Sequence, residues 1–379
     1  MRIFQNLNYD FLGHRKLTYT ISGTLILLGI ISLLIRGLEM GIDFKGGTEI
    51  AVQFEKPVSI SKIRSISNNM GLGKVEVKTF GSESGILIRT EMQQVSKNNF
   101  AKYVTSIENE IKKLEPNSKF SITDTTVNSV TFEFENHELA NKLNNQLFNA
   151  GFQTSLLSKG MDNKSVIVRV GISDIIQQYM RAKLAGNHFT ILKEDHVGPK
   201  IGKELKVDAV IAVFLSLLGI LIYLGFRFKF IFAVGAVTAL FHDVLITLGL
   251  FSMLYGMFSW LNLEISINVV AAFLTLVGYS INDTVVVFDR VRENLKIHKT
   301  GDLKNNINEA ISSTMPRTII TSFTTLLATF VLLVSGGDVL RGFAFTLFFG
   351  VIVGTYSSIF VASALVYEYT TKKNKKVQF

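Results

Sequence analysis

Asp283 is the residue best placed to do chemistry, because it interrupts the otherwise apolar run Gly278-Tyr279-Ser280-Ile281-Asn282-Asp283-Thr284. An acid inside an apolar helix is costly enough that a functional role is the default expectation. With Asn282 beside it, such a group can bind and release a proton while its helix shifts. The competing reading is a structural carboxylate satisfied by a neighbour. Arg317, just after Pro316 at the head of another apolar run, is a candidate partner. It is followed by Thr321 and Thr324 at i+4 and i+7, with Thr318, Ser322, Thr325 and Thr329 on the adjacent stripe. That hydroxyl face would carry water away from an Asp283–Arg317 pair, although a basic residue at a span end also arises from topology alone.

His242 and Asp243 form a second intramembrane pair, readable as a proton relay or as a locked structural hydrogen bond. Taking the middle of each run as the middle of the bilayer, Asp283 lies about 8 Å to one side and the two acids differ in depth by about 12 Å. That gap is too long for a direct proton hop and suits a chain of water. Intramembrane hydrolysis is a weaker expectation, since no serine with a credible base is evident and His242-Asp243 alone makes no nucleophile.

The elements that must hold these groups are long apolar runs. They occupy about 17–35, 207–224, 230–251, 268–288, 318–335 and 342–366, each near the roughly 20 residues a helix needs to cross hydrocarbon. Hydrophobic residues make up 48% of the 379 and charged residues 18%, which excludes an ordinary soluble core. The first run is too long for the apolar core of a secretory signal and lacks a small-residue cleavage site, so it reads as a retained span. The net charge of +9 is topological rather than a sign of nucleic-acid binding, because Lys and Arg gather at span ends. Arg2, Arg15, Lys16, Arg227, Lys229, Arg290, Arg292, Lys296, Lys299, Lys304, Arg317 and the Lys372–Lys376 cluster fall on one side, where anionic lipid would face them. The stretch 255–264 has neither Lys nor Arg, so both termini are expected in the cytoplasm. No cysteine is present and the six histidines lack ligand spacing, so no metal or cofactor is expected.

Four segments follow: 1–36 with the first span, an extracytoplasmic domain over 37–206, spans two to six over 207–371, and a basic tail over 372–379. Within the domain, short β-rich runs alternate with amphipathic stretches in the order β-α-β-β-α-β, twice. The expected fold class is therefore an α-helical membrane protein of six spans carrying an α+β, ferredoxin-like domain of two tandem units. Gly46 and Gly47, in Gly41-Ile42-Asp43-Phe44-Lys45-Gly46-Gly47-Thr48, mark the way out of the membrane. A phosphate cradle there lacks its Lys-Ser or Lys-Thr pair and a helix to cap. Gly198 and Pro199, with Gly202, mark the return as a defined bend. In the last span Gly342, Thr346, Gly350, Gly354 and Ser358 repeat at i+4, a ladder that invites close helix packing.

At these residues the sequence resembles the SecD/SecF family of bacterial protein export, on its SecF side, a family itself similar to resistance-nodulation-division transporters. The motifs are Gly41 to Thr48, Val197-Gly198-Pro199 with Gly202-Lys203-Glu204-Leu205, His242-Asp243, Gly278 through Arg290 with Arg292-Glu293-Asn294, and Pro316-Arg317-Thr318. The resemblance implies a multi-pass protein of the inner membrane and a heteromeric complex with a SecD-like subunit. It also implies contact with the SecY channel and with unfolded polypeptide in transit, and work driven by the proton-motive force rather than enzymatic catalysis. Asp283 matches the family's fourth-span acid and Arg317 its fifth-span basic partner. The rival reading is a proton-coupled small-molecule transporter of the resistance-nodulation-division type. The resemblance also implies a single outer ferredoxin-like unit, whereas this chain has room for two.

Overall fold

The computed structural model describes residues 9–92, 95–157, 163–184, 186–228, 230–258, 260–297 and 302–372. Arg2, Lys229, Lys299 and the tail beyond Lys372 lie outside the described residues. In chain order the elements begin with α1 (Arg15–Arg36) and the one-turn α2 (Ile42–Lys45). The α+β segment follows with β1 (Gly47–Phe54), α3 (Ile60–Asn68), β2 (Val75–Phe80), β3 (Ser82–Thr90), α4 (Lys97–Leu114) and β4 (Phe120–Thr125). It continues through β5 (Ser129–Phe134), α5 (His137–Asn149), β6 (Gln153–Leu156), β7 (Ser165–Arg169), α6 (Ile172–Lys183) and β8 (Phe189–Val197). The chain then runs as α7 (Pro199–Arg227), α8 (Phe230–Leu254), α9 (Ile267–Ile297), α10 (Leu303–Ser335), α11 (Gly337–Ser357), a π-helical turn (Ser358–Ala362) and α12 (Ser363–Lys372). Among the described residues six helices are long and apolar enough to cross a membrane, and each contains one of the six apolar runs. The chain divides into two compact units, residues 1–44 with 204–379, and 45–203.

The smaller unit keeps the expected element order but not the expected partition. Its two four-stranded sheets run β2-β3-β1-β8 and β4-β5-β7-β6. Each has the ferredoxin-like strand order, with the fourth strand exchanged: β8 completes the first sheet and β4 the second. The helices follow, since α3 packs on α6 and α4 on α5. The expectation of two tandem units, each contiguous in the chain, is therefore corrected. The physical reason is local, because only Thr126 to Asn128 separate β4 from β5, a hairpin-length link that makes this antiparallel pairing the easier one to close. One consequence is that Gly47, the first residue of β1, pairs with Val197, the last of β8. Gly47 has φ 123°, and a Cβ there would come within 2.2 Å of the Thr90 carbonyl oxygen.

Both sheets share one buried core in which Ile50, Val52, Phe132, Val166, Ile107 and Ile176 are solvent-free. Asp174 is buried beside it, accepting the Gly171 N–H at 2.7 Å at the head of α6. Burial pushes its carboxyl from 3.8 up to about 6, against the Gly171 hydrogen bond and helped by the charge of Glu194. The native state thus binds more protons than the unfolded chain between pH 4 and 6, and this contribution to stability is lost as pH rises through that window. Calorimetric melting of this unit in the full chain should show that fall, and Asp174→Asn should remove it and raise the transition temperature above pH 6.

The larger unit is a bundle whose neighbours are read from their contacts. Ser22, Gly29 and Ser32 of α1 meet His242, Gly249 and Ser252 of α8, a constant offset that makes the two helices parallel. Gly342, Gly350 and Gly354 of α11 lie against Val269, Leu276 and Ser280 of α9 in the same parallel sense. The glycine ladder of the last span thus has its partner inside the chain. A close approach of α1 and α8 was not anticipated: a Cβ on Gly249 would sit 2.7 Å from the Gly29 Cα. Gly249→Leu should push α1 off α8 at a cost of about 1–3 kcal/mol, read as a lower unfolding temperature in detergent.

Candidate functional site

Two apolar clusters fill the larger unit. One gathers Phe232, Ala236, Phe288, Val291 and Val366, and the other Phe251, Phe273, Leu276 and Phe345. Along α8, α9 and α11 the stretch between them carries polar residues, so a polar layer separates the two. His242, Asp243, Ser280, Asp283, Ser357 and Ser358 are all buried in it.

Asp243 is the hub of this layer. Its Oδ1 meets His242 Nδ1 at 2.9 Å, and its Oδ2 accepts the hydroxyls of Ser280 at 2.6 Å and Ser357 at 2.8 Å. His242 Nε2 meets Ser22 Oγ at 2.8 Å, Ser22 meets the Tyr356 hydroxyl at 3.1 Å, and Tyr356 donates to the Thr18 carbonyl at 2.8 Å. Four helices are thereby tied together. Ser22, Ser280, Tyr356 and Ser357 carried no sequence signal as site residues, since hydroxyls in apolar helices mostly bond to their own backbone. The π-helical turn begins immediately after Ser357, and the Ser363 hydroxyl closes back on the Ser358 carbonyl. Such turns recur at functional positions.

Asp283 lies one turn along α9 from Ser280, about 4.5 Å at 1.5 Å per residue. The expected depth difference of about 12 Å between the two acids is thus corrected. The apolar run misplaces the middle of the span, because α9 continues as a helix to Ile297. Asp283 is 4% exposed, and its Oδ2 has no hydrogen-bond partner. Arg317 and Ser322 are the neighbours whose charge and hydroxyl act on it. No ion pair joins Asp283 to Arg317, which is exposed on α10. Nor does Arg317 open that helix, which runs unbroken from Leu303 through Pro316. Asn282 points to the exposed face of α9, away from the buried layer.

The hydroxyl face of α10 is also redrawn. Thr318, Ser322 and Thr329 are the buried stripe, while Thr324 is exposed. Thr321, Thr324, Thr325 and Thr329 donate to carbonyls of their own helix. Ser322 alone of this set crosses to another helix, meeting Thr355 of α11 at 2.7 Å, and the Thr318 hydroxyl has no partner.

Asp43, read only as part of a glycine turn, has a definite task. Its Oδ2 accepts the N–H of Ile267, the first residue of α9, at 2.8 Å. Gly41 donates to the Ile265 carbonyl at 2.8 Å and Ile265 to the Glu39 carbonyl at 2.8 Å. The segment before β1 is therefore bolted to the head of the helix that carries Asp283, through a cap of the kind worth about 1 kcal/mol. A one-turn helix, Ile42–Lys45, stands where none was expected, yet it precedes Gly46 and Gly47 rather than following them. On the return side Pro199 is the first residue of α7. Gly202 lies inside that helix and donates to the Gly198 carbonyl at 2.9 Å. The join is a direct strand-to-helix passage, and the bend expected from Gly202 is absent.

Comparison with known proteins bears on the whole chain. Residues 177–372 match the family model described as Protein export membrane protein SecD/SecF, C-terminal, and residues 31–58 match the SecD/SecF GG Motif. Protein translocase subunit SecF of Rhodothermus marinus is 39% identical over 97% of this chain and 95% of its own length. The protein of the same name from Calditerrivibrio nitroreducens is 35% identical over 95% and 93%. The crystal structure of SecDF, a translocon-associated membrane protein from Thermus thermophilus, matches 99% of this chain with a TM-score of 0.65 and 28% identity. This chain spans 40% of that longer one. The six-span bundle, the glycine pair at the head of its α+β unit and these near full-length matches agree: the chain belongs to the SecD/SecF family of protein-export membrane proteins, on its SecF side.

Proposed function

We propose that this chain is the SecF-type subunit of a Sec translocase, assembling with a SecD-type subunit at a SecY-type channel in the bacterial inner membrane. It uses the proton-motive force to help draw emerging polypeptide outward. The observation that carries the reading is Asp283: a buried carboxylate with one oxygen unpartnered, near Arg317, on a helix whose head is capped by Asp43. Protonation of Asp283 releases its attraction to Arg317 and lets α9 shift against α10. The capped segment before Gly46 and Gly47, and the Gly198-Pro199 passage, carry that shift towards the α+β unit. One proton crossing 100 mV provides about 2.3 kcal/mol, which is more than one helix cap is worth. His242, Asp243 and Asn282 belong to the same coupling helices.

The exposed side of α9, with Ala271, Thr275, Gly278 and Asn282, is small and polar enough to take another helix, which supports a SecD-type partner. The distribution of Lys and Arg supports cytoplasmic termini. At the opposite ends, Arg36 is engaged by the carbonyls of Met253 and Tyr255, and Arg341 by that of Trp260. The small-molecule transporter reading is not favoured, because the relatives that match over nearly the whole length are named as translocase subunits.

The test is reconstitution with the SecD-type subunit and channel in vesicles. Export stimulated by this chain should disappear when an uncoupler collapses the proton gradient, with ATP-driven export continuing. Stimulation that survives the uncoupler overturns the reading.

A further inference from the structure

The hydrogen-bonded chain through Ser22 has the layout of a serine, histidine and acid triad, assembled from residues far apart in the sequence. Its hydrogens decide what it can do. Tyr356 has one hydroxyl hydrogen, and the Thr18 carbonyl, a pure acceptor at 2.8 Å, takes it. Ser22 must then donate to Tyr356 across 3.1 Å, which uses its only hydrogen. The 2.8 Å contact between Ser22 and His242 is left to be made by an N–H on Nε2. A nucleophilic serine needs the reverse, a bare Nε2 accepting from the hydroxyl. Hydrolysis is thereby disfavoured by hydrogen counting.

The same count fixes the other side of the ring. With Nε2 carrying a hydrogen, the 2.9 Å contact between Nδ1 and Asp243 Oδ1 holds one more. Whether that hydrogen sits on nitrogen or on oxygen, the pair has no net charge, as a site 5% and 1% exposed demands. Asp243 Oδ2 meanwhile accepts Ser280 of α9 and Ser357 of α11. Among the described residues no Lys or Arg is bonded to either member of the pair. Within one turn of Ser22, Ser280 and Ser357, the titratable groups on the helices around them are Tyr19 of α1, Tyr279 and Asp283 of α9, and Tyr356 of α11.

We infer that His242 and Asp243 are a second proton-holding site of this membrane unit, a neutral pair that sets how tightly α9 and α11 are clamped to α8. When the shared hydrogen leaves to water or to another carboxylate, the Nδ1–H or Oδ1–H bond breaks and the pair is left with one negative charge, centred on Asp243. The hydrogen bonds from Ser280 and Ser357 then meet a carboxylate with no shared hydrogen to offset its charge, and they tighten, ionised acceptors making bonds roughly twice as strong as neutral ones. His242 and Asp243 are thus positioning residues, acting on Asp283 through Ser280 one turn away. This deepens the proposed proton-driven function and rests on it for its purpose, but not for its chemistry.

The test uses the full chain, labelled with ¹⁵N-histidine, in lipid nanodiscs, with the His242 ring signals assigned from the spectrum of His242→Gln. Nε2 is expected as a protonated nitrogen wherever the protein is folded. A bare, accepting Nε2 overturns the proposal. In Tyr356→Phe, Ser22 is released to donate to the ring, and the Nε2–H signal should give way to the opposite tautomer; an unchanged spectrum overturns the hydrogen count. For the clamp, Ser280→Ala in the reconstituted complex should displace the pH profile of export stimulation. A uniform loss at every pH, as from a merely structural contact, overturns that role. Failure of the uncoupler experiment would remove the function and leave the histidine spectra standing.

Discussion

Replacing Asp283 with Asn should abolish proton-driven stimulation of export while leaving the chain able to assemble with its SecD-type partner. Asn has nearly the same volume and can take the same place beside Ser322, so packing in the polar layer is retained. What it cannot do is alternate between a charged and a neutral form in the field of Arg317. Stimulation at the wild-type level would remove Asp283 from the mechanism. Failure to co-purify with the partner would instead show the substitution to be structural. Asp243→Asn makes an instructive contrast. The hub bonds three side chains and accepts from two of them through one oxygen, so an amide there loses acceptor capacity and should loosen α8, α9 and α11 as well as altering function.

Glu49→Leu should destabilise the α+β unit by about 3–5 kcal/mol, the usual cost of stranding a buried charge. Glu49 of β1 is buried opposite Arg89 of β3, which donates to it through Nε at 2.8 Å and also through Nη2. Lys193 of β8 reaches its other oxygen at 3.0 Å. Removing the acid costs Arg89 its two charge-assisted bonds in a buried site, and the half-exposed Glu76 carboxylate, 3.7 Å from Nη1, replaces them incompletely. The double variant Glu49→Leu with Arg89→Met should recover most of the loss, since apolar residues of similar size often replace a buried ion pair without harm. A double variant as unstable as the single one would show that packing, rather than an orphaned charge, sets the cost. Urea or thermal unfolding of the wild type, the single and the double variant decides between these.

The sequence reveals the spans because hydrocarbon imposes a length, and a run such as 230–251 is longer and more apolar than a helix on a soluble core needs to be. It reveals Asp283 because the cost of a lone acid there is large. The exchange of β4 and β8 is hidden, since both pairings have the same order of elements and the same alternation of residues. The three-residue link after β4 is the signal that favoured the hairpin. The polar layer is hidden for a different reason. Ser22, Ser280 and Ser357 resemble Thr321 and Thr325, which merely bond their own helix, and only the crossing of four helices separates the two kinds. Asp43 is masked by the glycines beside it, whose need for positive φ accounts for the motif well enough that a capping role goes unsought.

The pairing of Gly47 with Val197 sets the terms on which the α+β unit is attached. Its two ends are cross-strand neighbours, about 5 Å apart at the Cα atoms. To the helices the whole unit is a β-hairpin with a very long turn. A cassette joined in this way can be enlarged, trimmed or exchanged for another domain without changing the spacing of the points where the chain leaves and returns. The α+β unit is therefore free to diversify while the polar layer of the bundle stays under its own constraints.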